Sequence, residues 1–262
     1  MPDAILRASN LTKRFGGLTA NEEISFSLGA EPGEVVSVIG PNGAGKSTLF
    51  KMLAGFIKPT HGTVELFGED ITALAPHLIA KRGLVRTFQE TTIFPDLTAL
   101  EHVSIAHQLT RTVNDAAVFL NTSRARADEA RLRQDSMAIL HFLSLDAIAG
   151  EVARNLPHGY LRLLGIAMAL AAKPKVLLLD EPYAGLNVDE TERAVVLTRK
   201  LAGQGLSVLL VEHDMKAVMK ISDRIIVLYF GKKIAEGSPE EIRANPAVIE
   251  AYLGKEDEEL GL

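Results

Sequence analysis

The chain has 262 residues, 28 basic against 33 acidic side chains (formal net charge −5), 47% apolar residues and 23% charged ones. That balance belongs to a folded globular protein, not a disordered one, and its mild acidity argues weakly against nucleic acid as the partner. With no Cys, disulfides, thiolate metal sites and a cysteine nucleophile are excluded.

The start, Met1-Pro2-Asp3-Ala4, has an acid where a signal peptide carries basic residues. The longest uncharged apolar stretch, residues 163–172, is about half of the ~20 residues a membrane span needs. A soluble, cytoplasmic chain is expected, able to sit on a membrane through a protein partner.

Residues 24–28 alternate apolar and small polar side chains, the pattern of a half-buried strand. Residues 35–39 are a denser β-branched run, the look of a strand covered on both faces. Residues 46–54 place Leu49, Phe50 and Leu53 at helical spacing, and residues 62–72 read as strand, turn at Gly68, and strand. From about Asp96 to Ala153 the pattern is helical, carried by Leu100, Val103, Ile105, Ala106, Met137, Leu140 and Leu143. Within it, residues 124–133 hold four arginines with Asp128 and Glu129, followed by Asp135, and read as a solvated helix face. Strand-like runs return at residues 176–179, 208–211 and 225–229 with helical stretches between, which predicts a parallel sheet with helices on its faces. Ser238-Pro239-Glu240-Glu241 has the form of a helix start: a Ser cap, Pro first, Glu three on.

Gly40-Pro41-Asn42-Gly43-Ala44-Gly45-Lys46-Ser47-Thr48 matches G-x-x-x-x-G-K-[ST] between a predicted strand and a predicted helix, the context this motif requires. The glycines let backbone N–H groups turn inward as an anion nest, and the helix N-terminus adds positive potential. Lys46 offers a point charge to the β- and γ-phosphates, and the Ser47 hydroxyl is a ligand for Mg²⁺. The second acidic site is Val176-Leu177-Leu178-Leu179-Asp180-Glu181. Asp180, at the carboxyl end of a central strand, is placed to hold Mg²⁺ through water, and Glu181 to orient and deprotonate an attacking water.

With these in place the chain resembles the ATPase subunit of ABC transporters over nearly its whole length. The resemblance implies an α/β fold: a P-loop NTPase (RecA-like) core with an antiparallel β subdomain and an inserted helical subdomain. Residues 1–94 and 166–262 would form the nucleotide-binding core and about 95–165 the helical subdomain. It further implies that Phe15, in Arg14-Phe15-Gly16-Gly17, stacks on adenine. Gln89, in Thr87-Phe88-Gln89-Glu90, would reach Mg²⁺ and the attacking water and sense the membrane subunit. Ala184-Gly185-Leu186-Asn187 would cross a dimer interface, and His213, in Val211-Glu212-His213-Asp214, would contact the γ-phosphate.

The family's signature, Leu-Ser-Gly-Gly-Gln, is replaced by Leu156-Pro157-His158-Gly159-Tyr160. In the family that segment completes the site held by the other subunit, and Pro157 has neither hydroxyl nor N–H to offer. Gly159 keeps a backbone amide for nucleotide, while His158 is expected to be structural or solvent-facing; Leu163 and Met168 stand where the family usually has arginines. A homodimer would carry the weakened signature twice, so pairing with a different ATPase chain is expected.

Arg14-Phe15-Gly16-Gly17-Leu18, Val85-Arg86-Thr87-Phe88-Gln89, Asn245-Pro246 and Ala251-Tyr252-Leu253-Gly254 resemble the branched-chain amino acid importer ATPases. That group implies ATP and Mg²⁺ as cofactors and, as partners, a second ATPase subunit, two membrane permease subunits and, indirectly, an extracytoplasmic solute-binding protein. It also implies a location on the inner face of the cell membrane, held there by the permeases. The alternatives are a lipopolysaccharide-export ATPase, which shares the Tyr-Leu-Gly ending, and a non-transport ABC ATPase.

Overall fold

The computed structural model describes residues 4–29, 32–87 and 93–259. Gln89 lies outside the described residues. The chain opens with β1 (Leu6–Phe15) and β2 (Leu18–Leu28), enters β3 (Val35–Ile39) and α1 (Lys46–Leu53), and forms the hairpin β4 (His61–Leu66) and β5 (Glu69–Asp70). Helix α2 (Pro76–Lys81) and β6 (Leu84–Arg86) precede four helices: α3 (Ala99–Ala106), α4 (Asp115–Phe119), α5 (Ser123–Phe142) and α6 (His158–Ala171). The remainder alternates β7 (Val176–Asp180), α7 (Val188–Ala202), β8 (Ser207–Val211), α8 (Met215–Ile221) and β9 (Arg224–Tyr229). It closes with β10 (Lys232–Gly237), α9 (Pro239–Ala244) and α10 (Pro246–Glu259).

These strands make two sheets: an antiparallel one in the order β2-β1-β4-β5, and a larger one in the order β10-β9-β3-β8-β7-β6. In the larger sheet β9, β3, β8, β7 and β6 are parallel, and β10 pairs antiparallel with β9 at the edge. Every residue of β3, β7 and β8 is buried, because helices cover one face of the sheet and α1 with the antiparallel sheet covers the other. Alternation along β7 divides its side chains accordingly. Leu177 and Leu179 join a core with Val103, Leu140, Leu164 and Val195, whereas Val176 and Leu178 join Leu49, Phe50, Leu11 and Ile24. A third cluster at the edge packs Ile39, Ile225 and Val227 under Val218, Ile242 and Val248, with Tyr252 against it. Among the described residues no helix is long and apolar enough to cross a membrane.

The expected α/β core, antiparallel sheet and helical insertion are all present. The predicted start at Ser238 is a capping box: the Glu241 amide donates to Ser238 Oγ (3.2 Å) and the Ser238 amide to Glu241 Oε2 (2.8 Å). The helical stretch is divided by further caps at Thr98, Asn114 and Thr122.

One expectation needs correcting. The charged face at residues 124–133 is not solvated throughout, because Asp128 is 5% exposed. It accepts from Thr112 Oγ1 (2.6 Å) and Arg131 Nη2 (2.8 Å), tying the segment before α4 to α5. The Thr112 hydroxyl first, and Arg131 second, hold its carboxyl down to about 2. Since the folded value lies below the unfolded one, this contribution is fully present above about pH 4 and is lost as pH falls through about 2. Asp128→Ala is therefore expected to destabilise the chain by about 2 kcal/mol at pH 7, measured by urea unfolding. The difference from wild type should shrink as the titration is repeated towards pH 3; a difference constant with pH would remove the charge-assisted bonds as its cause.

Candidate active site

The Gly40–Thr48 loop joins the buried end of β3 to α1, and two of its glycines are required by close approach. A Cβ on Gly40 (φ 149°) would lie 2.0 Å from the Leu228 carbonyl oxygen on β9, and one on Gly45 (φ 100°) 2.4 Å from the Ala20 carbonyl oxygen on β2. Asn21, fully buried on β2, donates from Nδ2 to the Gly45 carbonyl (3.2 Å), and the Gly231 amide donates to the Ala44 carbonyl (3.1 Å). The loop is thus wedged between both sheets. Lys46 is 6% exposed, and its ammonium donates to the carbonyls of Gly40 (2.6 Å) and Pro41 (3.0 Å) of its own loop.

A cavity of about 520 Å³ opens against this loop. It is lined by Asn42, Gly43, Ala44, Gly45, Lys46, Ser47 and Thr48, by Phe15, and by Glu181 and His213. Two adjacent parallel strands deliver the last two: Glu181 follows β7 and His213 follows β8, so the acid and the imidazole emerge at the same edge as the loop. His213 Nε2 lies 3.0 Å from Glu181 Oε1. Glu181 holds φ 50°, a left-handed conformation costly for a side chain with a Cβ.

Asp180 lies one residue earlier, 2% exposed at the end of β7. Its Oδ2 accepts from Arg86 Nη2 on the neighbouring strand β6 (2.6 Å), and that guanidinium also stands 5.6 Å from the centre of the Phe56 ring. Asp180 Oδ1 is buried and has no hydrogen-bond partner among the described residues.

Gly159 lies elsewhere. It sits in the first turn of α6, preceded by Pro157 as an N-cap without a side-chain bond, and lines a separate cavity of about 400 Å³ with Tyr160, Leu163, Leu186 and Glu190. A Cβ there would come 2.9 Å from Glu190 Oε1, so the absence of a side chain also has a packing reason. The ring of His158 lies against Gly185, within the expected interface loop, and Asn187 of that loop caps α7 in a box with Glu190.

Residues 23–184 match the family model described as ABC transporter, and residues 232–258 match that of the branched-chain amino acid ATP-binding cassette transporter. The chain belongs to the ABC transporter family. It is 44% identical, over 97% of its length and all of the relative, to the high-affinity branched-chain amino acid transport ATP-binding protein BraF of Pseudomonas aeruginosa. It is 42% identical, with the same coverage, to the corresponding LivG protein of Escherichia coli. A crystal structure of a nucleotide-free ATP-binding cassette from an ABC transporter superposes with TM-score 0.83 at 32% identity, covering 95% of this chain and 99% of that one. The ADP conformation of an ATP-binding cassette superposes equally well at 30% identity, covering 96% and 99%. The protein is a nucleotide-binding ATPase coupled to transport.

The cassette's donor set suits Mg²⁺. In phosphate sites this ion takes one or two protein oxygens and completes its shell from phosphates and water. Among the described residues no group of three or more His, Asp or Glu could hold a metal alone, while Ser47 lines the cavity and Asp180 keeps one acceptor uncommitted. Sequence reasoning assigned no role to Phe230, 77% exposed in the β9–β10 turn, or to Leu18, although both line the cavity with Phe15. It also assigned none to Arg86. The one available signal for Phe230 was its place beside Gly231 in a turn after a buried strand.

The two loop glycines with different surroundings separate strain from collision. Gly43 (φ 80°) has open space where a Cβ would go. Gly43→Ala is expected to cost about 1 kcal/mol of stability. Gly40→Ala should cost at least twice that and abolish ATP binding, because backbone lies in its path. Equal losses in thermal melts of the two variants would mean the overlap with Leu228 is relieved without consequence.

Proposed function

We propose that this cassette hydrolyses ATP with Mg²⁺ at the Gly40–Thr48 loop as one half of a heterodimer, powering import of branched-chain amino acids or related small polar solutes. The observation carrying the reading is the Glu181–His213 pair, 3.0 Å apart, on the same cavity as the phosphate loop. The substrate class rests on the similarity to BraF and LivG, which are branched-chain amino acid transport ATP-binding proteins, and on the matched segment at residues 232–258. On that reading the partners are a different ATPase chain, two membrane permeases and, through them, a solute-binding protein, and the cassette lies on the inner face of the membrane against the permeases.

On binding, Lys46 exchanges the carbonyls of Gly40 and Pro41 for phosphate oxygens, and the inward amides of the loop take the remaining negative charge. Ser47, Asp180 and Gln89 are the residues that would hold Mg²⁺, which when bound neutralises phosphate charge and fixes its orientation. Phe15, 48% exposed at the mouth, is available to stack on the base. Glu181 accepts the proton of the attacking water, and His213 keeps that carboxylate aimed and faces the γ-phosphate. Gly159, on a different cavity, would act on the partner's nucleotide and not on this chain's own. Pro157 supplies neither a hydroxyl nor an amide to that contact, so the two sites of the dimer are unequal in strength.

Glu181→Gln is expected to lower turnover at least ~100-fold while ATP affinity stays within a few-fold, since only the proton acceptor is lost. Wild-type hydrolysis in that variant would take Glu181 out of the reaction. Pro157→Ser should raise the ATPase rate of the purified chain alone, and that rate should stay well below the rate of the transporter assembled with all its subunits. Equal turnover by the chain and the assembly would count against the heterodimer.

A further inference from the structure

Glu212 stands between the last residue of β8 and His213 and is 4% exposed. Both of its carboxylate oxygens are engaged, each by a backbone amide from a different loop. The Tyr183 amide donates to Oε1 (2.7 Å) and the His213 amide to Oε2 (3.0 Å). Tyr183 is itself anchored, 4% exposed, with its hydroxyl on Thr198 Oγ1 of α7 at 3.1 Å. Among the described residues no cation pairs with this acid. Burial pushes its pKa up, and the amides of Tyr183, His213 and Asp214 pull it back. A buried carboxylate costs free energy that an apolar residue of similar size would not. Its presence calls for a function beyond filling space.

The geometry supplies one. Glu181 occupies a left-handed conformation that persists only when its surroundings over-determine it. It is gripped on both sides: its own amide donates to the Val211 carbonyl (2.9 Å), and two residues on, the Tyr183 amide is held by Glu212. The same carboxylate fixes the amide of His213, whose ring meets Glu181 Oε1. We propose that Glu212 is a positioning residue for ATP hydrolysis: its carboxylate clips the loop after β7 to the loop after β8 and so sets the Glu181–His213 geometry without touching nucleotide. The inference rests on the reading of Glu181 and His213 as the hydrolytic pair.

A carboxylate can accept on both oxygens, whereas a carboxamide accepts on one and would turn an NH₂ group towards the other N–H. Glu212→Gln therefore breaks one arm of the clip at nearly constant volume. In the transporter assembled from all its subunits, E212Q is expected to lower kcat 10- to 100-fold. Mg·ATP affinity of the full chain, by calorimetry, should stay within threefold. Amide hydrogen exchange should quicken at Tyr183 or His213 and not across the β-sheet.

Tyr183→Phe provides the packing control, because it removes the Thr198 contact and leaves the clip. It should lower the melting temperature with kcat within twofold of wild type. Wild-type turnover in E212Q would overturn the inference. So would a parallel loss of ATP binding and turnover, or a kcat loss in Tyr183→Phe equal to that in E212Q. Glu181→Gln, measured alongside, separates the two readings: if it turns over normally, the hydrolytic pair fails and the clip falls with it. If it is silent while E212Q is normal, the clip alone falls.

Discussion

The fold is organised around one tight backbone contact: the phosphate loop pressed between the two sheets. Gly40 lies against a β9 carbonyl and Gly45 against a β2 carbonyl, with distances that leave no room for a side chain. Asn21 and Gly231 then hydrogen-bond the loop's own carbonyls. Residues from three distant parts of the sequence therefore meet at a nine-residue turn. On the proposed reading, phosphate charge would be matched by amides that cannot reorient, because the backbone carrying them is enclosed. The edge cluster adds to this: Tyr252 on α10 packs beside Ile39, and its hydroxyl faces the Gly40 amide, which partly offsets the effect of burial on that hydroxyl. The segment matching the branched-chain amino acid transporter family thereby reaches the start of the loop.

The parallel sheet does the second half of the work. With β3, β8 and β7 adjacent, the loop after β3, His213 after β8 and Asp180–Glu181 at the end of β7 all emerge along one edge. Strand adjacency thus sets which side chains can meet, and covering both faces keeps the strands from sliding.

The sequence made β3, β7 and β8 legible because strands buried on both faces are dense apolar runs, with Ser37 the single polar residue inside one. It left β1, β6 and β10 unread. β1 mixes charged and polar residues and breaks its alternation at register shifts near Ala8, Leu11 and Lys13. β6 has three residues, and β10 begins with two lysines at a solvated edge. Lys46, Asp180, Glu181 and His213 were readable because each belongs to a local motif. Arg86, Glu212 and Phe230 were not: the partners of Arg86 and Glu212 lie 94 and 29 positions away, and Phe230 shares a cavity with residues over 200 positions away. Asp128 was misread for a related reason: local charge density suggests solvent, and only the distant Thr112 reveals a buried acceptor.

Two buried acids at neighbouring strand ends show how one functional group, the carboxylate, is put to different uses. Asp180 has a guanidinium on one oxygen and nothing among the described residues on the other. Glu212 has an amide on each oxygen and, among the described residues, no cation. Isolated burial of either charge would be prohibitive, so each needed compensation. The form of compensation separates their roles. On the proposed reading, an acid that would bind Mg²⁺ is neutralised by a partner that leaves an acceptor open, and Arg86 does this from the adjacent strand. An acid that holds backbone in place is buried against that backbone, with an amide on each oxygen. Exchanging the two arrangements would leave Asp180, the proposed Mg²⁺ position, without an open acceptor and the loops without a tie.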